Sequence, residues 1–206
     1  MSCVRKKNKL VFGWAVNDAD YQVQLYDTSG NTLKRKWICP YYEDWYDIIR
    51  RSKSDKLKSE RHTYRYVSIC EEWKYFSNFK KWVDSQPNKD WVNCQADKDI
   101  LCYNKPKIYS PETVVYITES LNQFLKDRGN DRGKYMLGVN KQGNGYVAKC
   151  SNPFSDNKED GRYLGYFSTE LEAHLTWKAK KHEYACRWAD IQEDPRVSEV
   201  LRRIYL

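Results

Sequence analysis

The C-terminal third of the chain has a hydropathy pattern that restricts its fold to a small sheet followed by a helix. Three short segments, 138–141, 145–149 and 162–167, alternate apolar side chains with polar or basic ones, which is typical of half-buried strands. The residues that follow contain a capping box, Thr169 to Glu172, which predicts the start of a helix. We therefore predict an α+β protein in which a three-stranded antiparallel sheet packs on one helix.

The predicted strands carry basic and aromatic residues at their exposed positions. Lys141, Lys149 and Arg162 supply positive charge, and Tyr146 and Tyr163 supply rings. A small basic sheet supported by one helix suits contact with nucleic acid better than chemistry on a small molecule.

The helix predicted after the capping box is amphipathic. Leu171, Leu175 and Ala179 lie on one face, with Trp177 and Tyr184 beside them. A short basic helix is expected to end the chain.

The composition agrees with a polyanionic partner. The chain has 206 residues, a net charge of +8 and a pI near 9.0, and it contains 17 Tyr and 8 Trp. This is more aromatic side chains than a core of this size needs, and those that lie at the surface could stack on bases. No apolar run has the length of a membrane span, so we expect a cytoplasmic protein without membrane contact.

The cysteines indicate reduced thiols. The chain has 7 cysteines without a CxxC pair, and no signal peptide is recognised, which predicts a cytosolic protein without a disulfide framework. A zinc site formed by Cys39, Cys70, Cys94 and Cys102 is an alternative, although the paired-ligand spacing of zinc modules is missing.

The N-terminal part is predicted to contain a basic tail and a hairpin. The tail, residues 5–9, is either a solvated terminus or a phosphate contact. Segments 11–14 and 21–26 have strand character, and turn residues at 29–31 precede a third short strand.

The middle of the chain shows helical spacing of apolar residues twice. Residues 41–52 and 71–84 are predicted helices, and the aromatic stripe of the second is assigned to the core. The charged segment 53–65 between them is either a mobile loop or an irregular helix, and 67–70 is a short strand.

The next segment has the order of a ββα unit. Strands are predicted at 96–101 and 107–109, joined by a turn around 104–106. Ser110 is the expected cap of a helix that continues to about Leu125.

We expect the chain to be divided by a polar linker. Residues 126–134 are polar and contain glycine, with no apolar side chain. This predicts an N-terminal and middle α+β domain at 1–125 and a C-terminal domain at 135–206.

The C-terminal domain resembles the AP2 (ethylene-response-factor-type) DNA-binding domain over about residues 135–185. The resemblance rests on residues 138–139, 146–148, 163–167 and 170–173, which occur in the family's order and separations. It implies that the exposed face of the sheet reads the DNA major groove. Tyrosines stand where plant members usually have strand tryptophans. The positions that match the family's contact residues are Asn140, Lys141, Tyr146, Lys149, Arg162 and Tyr163.

The middle of the chain resembles phage proteins of the HNH homing-endonuclease type. The matching segments are 45–51, 67–73, 76–82, 97–99 and 109–113. The resemblance implies metal-dependent phosphodiester cleavage, in which a ββα unit holds one divalent cation and a histidine on the first strand activates water. Here that strand has Asp97-Lys98-Asp99 and no histidine. The candidate catalytic residues are Asp97, Lys98, Asp99 and His62, and the candidate ligands for Mg²⁺ or another divalent cation are Asp97, Asp99, Glu112 and Asn104. No organic cofactor is expected.

Three hypotheses follow for the function. The first is a phage-type nuclease or nickase on double-stranded DNA, which the Asp97–Asp99 hairpin and its capped helix favour. The second is a DNA-binding protein that acts by occupancy, which the missing histidine favours. The third is a phage factor that binds a host protein in the host cytoplasm, although no motif indicates such a partner.

Overall fold

The computed structural model describes residues 10–27, 29, 32–102, 106–126, 134–157 and 160–206. The predicted basic tail and Asn104 lie outside the described residues, and only the two end residues of the predicted linker lie within them. The fold is mixed α+β with small sheets, as predicted. Among the described residues, no helix has both the length and the apolar character needed to cross a membrane.

The chain divides into two compact units, Met1–Tyr116 (unit 1) and Ile117–Leu206 (unit 2). Unit 1 contains, in chain order, β1 (Gln24–Asp27), β2 (Lys34–Ile38), α1 (Pro40–Lys53), α2 (Asp55–Glu60), β3 (Ser68–Ile69), α3 (Phe76–Asp84), β4 (Cys94–Asp97), β5 (Ile108–Tyr109) and the first half of β6 (Val115–Thr118). Short 3₁₀ helices lie at His62–Tyr64, Glu72–Lys74 and Trp91–Asn93. Unit 2 contains the end of β6, then α4 (Glu119–Leu125), β7 (Val139–Gln142), β8 (Gly145–Lys149), β9 (Tyr163–Phe167), α5 (Glu170–Asp190) and α6 (Pro195–Leu201).

Unit 1 is built around an aromatic core. The predicted helices at 41–52 and 71–84 are present as α1 and α3, the latter preceded by a 3₁₀ turn. Trp45, Trp73 and Phe79 are almost completely buried, and the rings of Trp73 and Phe79 meet edge to face at 5.1 Å. Burial of such large rings is a main source of stability in a domain of this size.

The N-terminal hairpin agrees with the prediction in its later segments, since the predicted strand at 21–26 overlaps β1 and β2 is the predicted third strand, but the first predicted strand is absent. β1 pairs antiparallel with β2, whereas residues 11–14 form a tight turn. Phe12 and Gly13 have positive φ angles of 49° and 69°, which an extended strand does not allow.

The predicted ββα unit is wrong in its pairing and in its helix start. β4 pairs with β6, and β5 pairs in parallel with β3, so the two predicted strands do not form a hairpin with each other. From Ser110 the chain forms a turn, in which the Thr113 hydroxyl donates to the Ile108 carbonyl at 2.6 Å. The buried residues after it are mostly β-branched and form β6, and Thr118 caps the helix instead.

The buried face of α5 also differs from the predicted one. Leu171, Leu175 and Ala179 are exposed. The side chains that pack inward include Ala173, whose small volume permits close approach of helix and sheet, and Trp177. The hydropathy spacing predicted that the leucines are buried, whereas the residues that pack against the sheet are small or aromatic.

Asp44 on α1 is a half-buried acid. Its carboxylate accepts a hydrogen bond from the Tyr116 hydroxyl at 3.0 Å. Burial raises the pKa of Asp44 to about 6, although the hydrogen bond from Tyr116 opposes part of this rise. Ionisation of this carboxyl group above that pH therefore weakens unit 1.

Replacing Asp44 by asparagine is expected to increase the stability of unit 1 at neutral pH. Because the folded-state pKa lies above the unfolded-state value, the carboxyl group stabilises the fold below about pH 4 and loses this contribution as the pH rises through about 6. The difference in unfolding free energy between Asp44→Asn and the parent should therefore increase by about 1–3 kcal/mol as the pH rises from about 4 to above 6. Urea unfolding of both proteins across this range measures the difference, and a difference that does not change with pH would contradict the prediction.

Candidate nucleic-acid interface

The three-stranded sheet of unit 2 has the predicted order, β7-β8-β9, with antiparallel neighbours. α5 begins with the predicted capping box, since the Thr169 hydroxyl accepts from the Glu172 amide and the Glu172 carboxylate accepts from the Thr169 amide. The Thr169 hydroxyl also donates to the Glu172 carboxylate at 2.9 Å, and this bond, together with those from the Thr169 amide and the Ser168 hydroxyl, holds the pKa of Glu172 below its ordinary value. The cap therefore fixes the start of the helix, which follows β9 after two residues.

Gly138 sets the distance between the helix and the start of β7. Its φ angle is +74°, and a Cβ atom at this position would lie 2.0 Å from the Trp177 ring. Leu137, one residue earlier, has its carbonyl oxygen 2.9 Å from His174 Nδ1 on the same helix. Val139 and Ala148, which are paired across the strands, are buried on this side. The helix therefore covers the sheet face that carries Val139 and Ala148.

The pairing register identifies the residues on the opposite face. Asn140 and Tyr166 both pair with Val147, and a bulge brings Tyr163 opposite Lys149. Directly paired residues of antiparallel strands point to the same side of a sheet, and alternate residues along a strand do so as well. We call this side the open face, and its exposed residues are Asn140, Gln142, Lys149, Tyr163 and Tyr166.

Two tyrosines dominate the open face. Tyr163 and Tyr166 retain 62% and 52% of their surface, although aromatic side chains are usually buried. The Tyr166 ring lies over Gly145, where a Cβ atom would come within 2.3 Å of its Cζ atom. Val147, in the central strand between Asn140 and Tyr166, is buried. The face is thus a shallow aromatic surface with polar groups along β7 and at the end of β8.

The register separates the six residues predicted to contact DNA. Asn140, Lys149 and Tyr163 lie on the open face. Lys141 and Tyr146 pair with each other on the opposite face, where the Lys141 ammonium lies 4.2 Å from the centre of the Tyr146 ring. The six residues therefore do not all share one face of the sheet.

Arg162 immediately precedes β9. It is exposed, and its carbonyl oxygen accepts from the Cys150 amide at 2.9 Å, which continues the pairing of the two strands beyond Lys149. The arginine therefore lies at the same end of the sheet as Lys149 and Tyr163. Tyr166 and Gln142 were not among the predicted contacts. Gln142 lies two residues after Asn140 on the same strand, so the alternation of side chains along β7 could have identified it.

The charge of the open face is positive. None of the three strands contains an Asp or Glu residue. Within the described parts of the chain, no carboxylate lies within ion-pair distance of Lys149. Among the described acids near the strands in sequence, Asp160 accepts from the Asn152 side-chain amide at 3.0 Å, Glu170 accepts from the Met136 amide, and Glu172 belongs to the helix cap. The face therefore presents the Lys149 ammonium group, without an ion-pair partner among the described residues, on the same side as two exposed rings.

Comparison with known proteins identifies no relative. No family model matches the chain, and no curated protein or solved structure is significantly similar to it. The candidate interface is therefore interpreted from its own geometry.

The candidate catalytic residues of unit 1 are held by structural contacts. Asp97 accepts from the Ile100 amide at 2.9 Å and closes a turn, and burial raises its pKa. Asp99 accepts from Lys98 at 3.1 Å and from Lys107 at 2.5 Å. Burial alone would raise the pKa of Asp99, but the bond from Lys107 and the charge of Lys98 hold it below its ordinary value. Lys98 itself is only 5% exposed.

The residues assigned to a divalent cation are not brought together as a group of ligands among the described residues. Glu112 accepts from the Ser110 hydroxyl at 2.7 Å, and Asn104 lies outside the described residues. In the described part of the chain, no three His, Cys, Asp or Glu residues converge as metal ligands, and this includes the cysteines considered for zinc. His62 begins an exposed 3₁₀ helix on the surface. Asp97 and Asp99 are accounted for by their contacts with the Ile100 amide and with Lys98 and Lys107.

Proposed function

We propose that this protein binds double-stranded DNA through the open face of unit 2 and acts by occupancy. The observation that carries the proposal is the composition of that face, which combines Lys149, Asn140 and two exposed tyrosines on strands without a single acid. Basic surfaces with polar and aromatic groups are the usual contacts of DNA-binding proteins.

The geometry of the open face supports contact with a groove. Strands can enter the major groove of B-DNA, which is about 12 Å wide, and present side chains to the base edges. The Asn140 amide is suited to the donor and acceptor pair of adenine, and the Lys149 ammonium to guanine or to a phosphate. The sequence resemblance to the AP2 domain supports the same choice of surface.

Action by occupancy is favoured over cleavage by the contacts of the acidic residues in unit 1. Asp99 balances Lys98 and Lys107, and Asp97 closes a turn, so each carboxylate has a structural role. Incubation of the protein with supercoiled plasmid and Mg²⁺ or Mn²⁺ tests this part of the proposal. Nicking that disappears in Asp99→Ala but persists in a folded Lys107→Ala variant would assign cleavage to this protein and overturn occupancy.

Lys149→Ala is expected to weaken binding to a pool of random DNA duplexes and to reduce its salt dependence. If Lys149 contacts a phosphate, its removal should reduce the slope of log K against log salt by about 0.9. Fluorescence anisotropy titrations between about 50 and 200 mM salt measure this slope. On a selected duplex, loss of a base contact should weaken binding by roughly fivefold to a hundredfold.

Lys141→Ala is the matched control. It removes the same charge from the same sheet, but from the face that carries Val139 and Ala148. We expect its salt slope to remain close to that of the parent. Equal effects of the two substitutions would show that net charge, and not the open face, determines binding.

A further inference from the structure

Unit 1 contains a cleft with aromatic, aliphatic and cationic walls. The cleft has a volume of about 350 Å³ and is lined by Thr63, Tyr66, Val67, Pro106 and Lys107. The parallel pairing of β3 with β5 holds its two sides together, and the Ser68 amide donates to the Lys107 carbonyl at 3.1 Å. Pockets for small ligands begin at about this size.

Tyr66 is the most unusual residue of the cleft. It retains 84% of its surface, so its ring contributes little to the core. A ring this exposed, beside Val67 and Pro106, offers a flat apolar surface of the kind on which nucleic-acid bases stack. The Thr63 hydroxyl adds a polar group to the lining.

The chain beside the cleft carries unbalanced positive charge. Lys58, Arg61 and Arg65 have no carboxylate within ion-pair distance in the described part of the structure, whereas Glu60 pairs with Lys56 at 3.9 Å. Lys107 reaches Asp99, but that carboxylate also serves the buried Lys98. Lys107 thus lines the cleft and shares its carboxylate partner with a second ammonium group, which leaves positive charge available for an anion.

We propose that this cleft binds an unpaired nucleotide of a single-stranded nucleic acid, with the base against Tyr66 and the phosphate near Arg65 and Lys107. Stacking needs a free base face, which a duplex does not offer except at its ends. The cleft is thus a second nucleic-acid site, chemically distinct from the open face of unit 2, and it does not depend on the function proposed for that face.

The test uses the full-length protein and a fluorescent oligothymidylate of about eight nucleotides. Tyr66→Ala is expected to weaken binding by about tenfold to a hundredfold, because the base loses its stacking partner. The substitution removes no charge, so the salt slope should not change. Arg65→Ala should instead reduce the slope by about 0.7, the value expected for one phosphate contact on a single strand.

Tyr75→Ala is the matched control, since Tyr75 is an exposed tyrosine of the same unit that does not line the cleft. It should bind the oligothymidylate like the parent, and Tyr66→Ala should keep the parent's duplex affinity and melting temperature. Failure of the parent to bind the oligothymidylate at low salt would overturn the proposal, as would equal losses in the two tyrosine variants. Duplex titrations test the open face separately, so the two proposals can fail independently.

Discussion

Replacing Gly138 by alanine is expected to destabilise unit 2 by about 2–5 kcal/mol. The Gly138 φ angle of +74° lies in the left-handed region, where an L-residue costs about 1–2 kcal/mol. The new methyl group would also lie 2.0 Å from the Trp177 ring, and such overpacking typically costs about 1–3 kcal/mol. Trp177 is only 9% exposed and packed in the core of unit 2, so strain is expected to separate helix from sheet.

Gly143→Ala is the control for this prediction. Gly143 also has a positive φ angle, +54°, but a Cβ atom there would meet no other atom within 4 Å. Its replacement by alanine should therefore cost only the free energy of placing an L-residue in the left-handed region, about 1–2 kcal/mol. Hydrogen exchange of the β7–β9 amides reports the opening free energy of the sheet in the full-length protein. Similar protection in the two variants would show that Trp177 yields easily and that Gly138 does not determine the position of the helix.

Local signals in the sequence predicted α1, the start of α5 and the strands of the C-terminal sheet. α1 is recognisable because Trp45, Ile48 and Ile49 recur at helical spacing and basic residues occupy its last turn. The start of α5 follows from its capping box, which requires only four neighbouring residues. Such features are predictable because their stabilising contacts lie within a few residues along the chain.

Strand pairing in unit 1 could not be obtained in this way. β3 and β5 have two residues each and pair across a long separation in sequence. Nothing in a two-residue segment specifies its partner, so an apparent strand-turn-strand order was interpreted as a hairpin. The Ser110 cap was misleading for a related reason, because the β-branched residues beyond it are buried in a strand.

The candidate site was predictable in composition but not in arrangement. Lys149 and Lys141 have the same charge and both occur in short basic strands, but the register places them on opposite faces. The alternation around Val147 does not by itself tell which of the two lysines lies on the open face, because a shift of one residue exchanges the two faces. The assignment requires the pairing register of the central strand. The glycine at 145 likewise becomes informative only when Tyr166 is seen to lie over it.

Trp45→Ala is expected to destabilise unit 1 by about 3–5 kcal/mol, the usual range for removal of a fully buried large aromatic side chain. Trp45 has no exposed surface, and its ring meets those of Tyr42 and Phe76 at 5.5 Å. Its indole Nε1 also donates to the Trp73 carbonyl at 2.8 Å, so the substitution leaves a buried acceptor without its donor. Trp45→Phe should retain most of the packing and lose only about 1–2 kcal/mol.

Trp37→Ala is the control that separates the removal of a buried tryptophan from the removal of an exposed one. Trp37 lies on β2 and is 44% exposed, so its removal should change stability by less than about 1 kcal/mol. Urea unfolding followed by circular dichroism measures all three variants. A loss as large as 3–5 kcal/mol approaches the total stability of many domains, so Trp45→Ala should be partly unfolded at 37 °C. If Trp45→Ala and Trp37→Ala unfolded at similar urea concentrations, the aromatic cluster around α1 would not be the main support of unit 1.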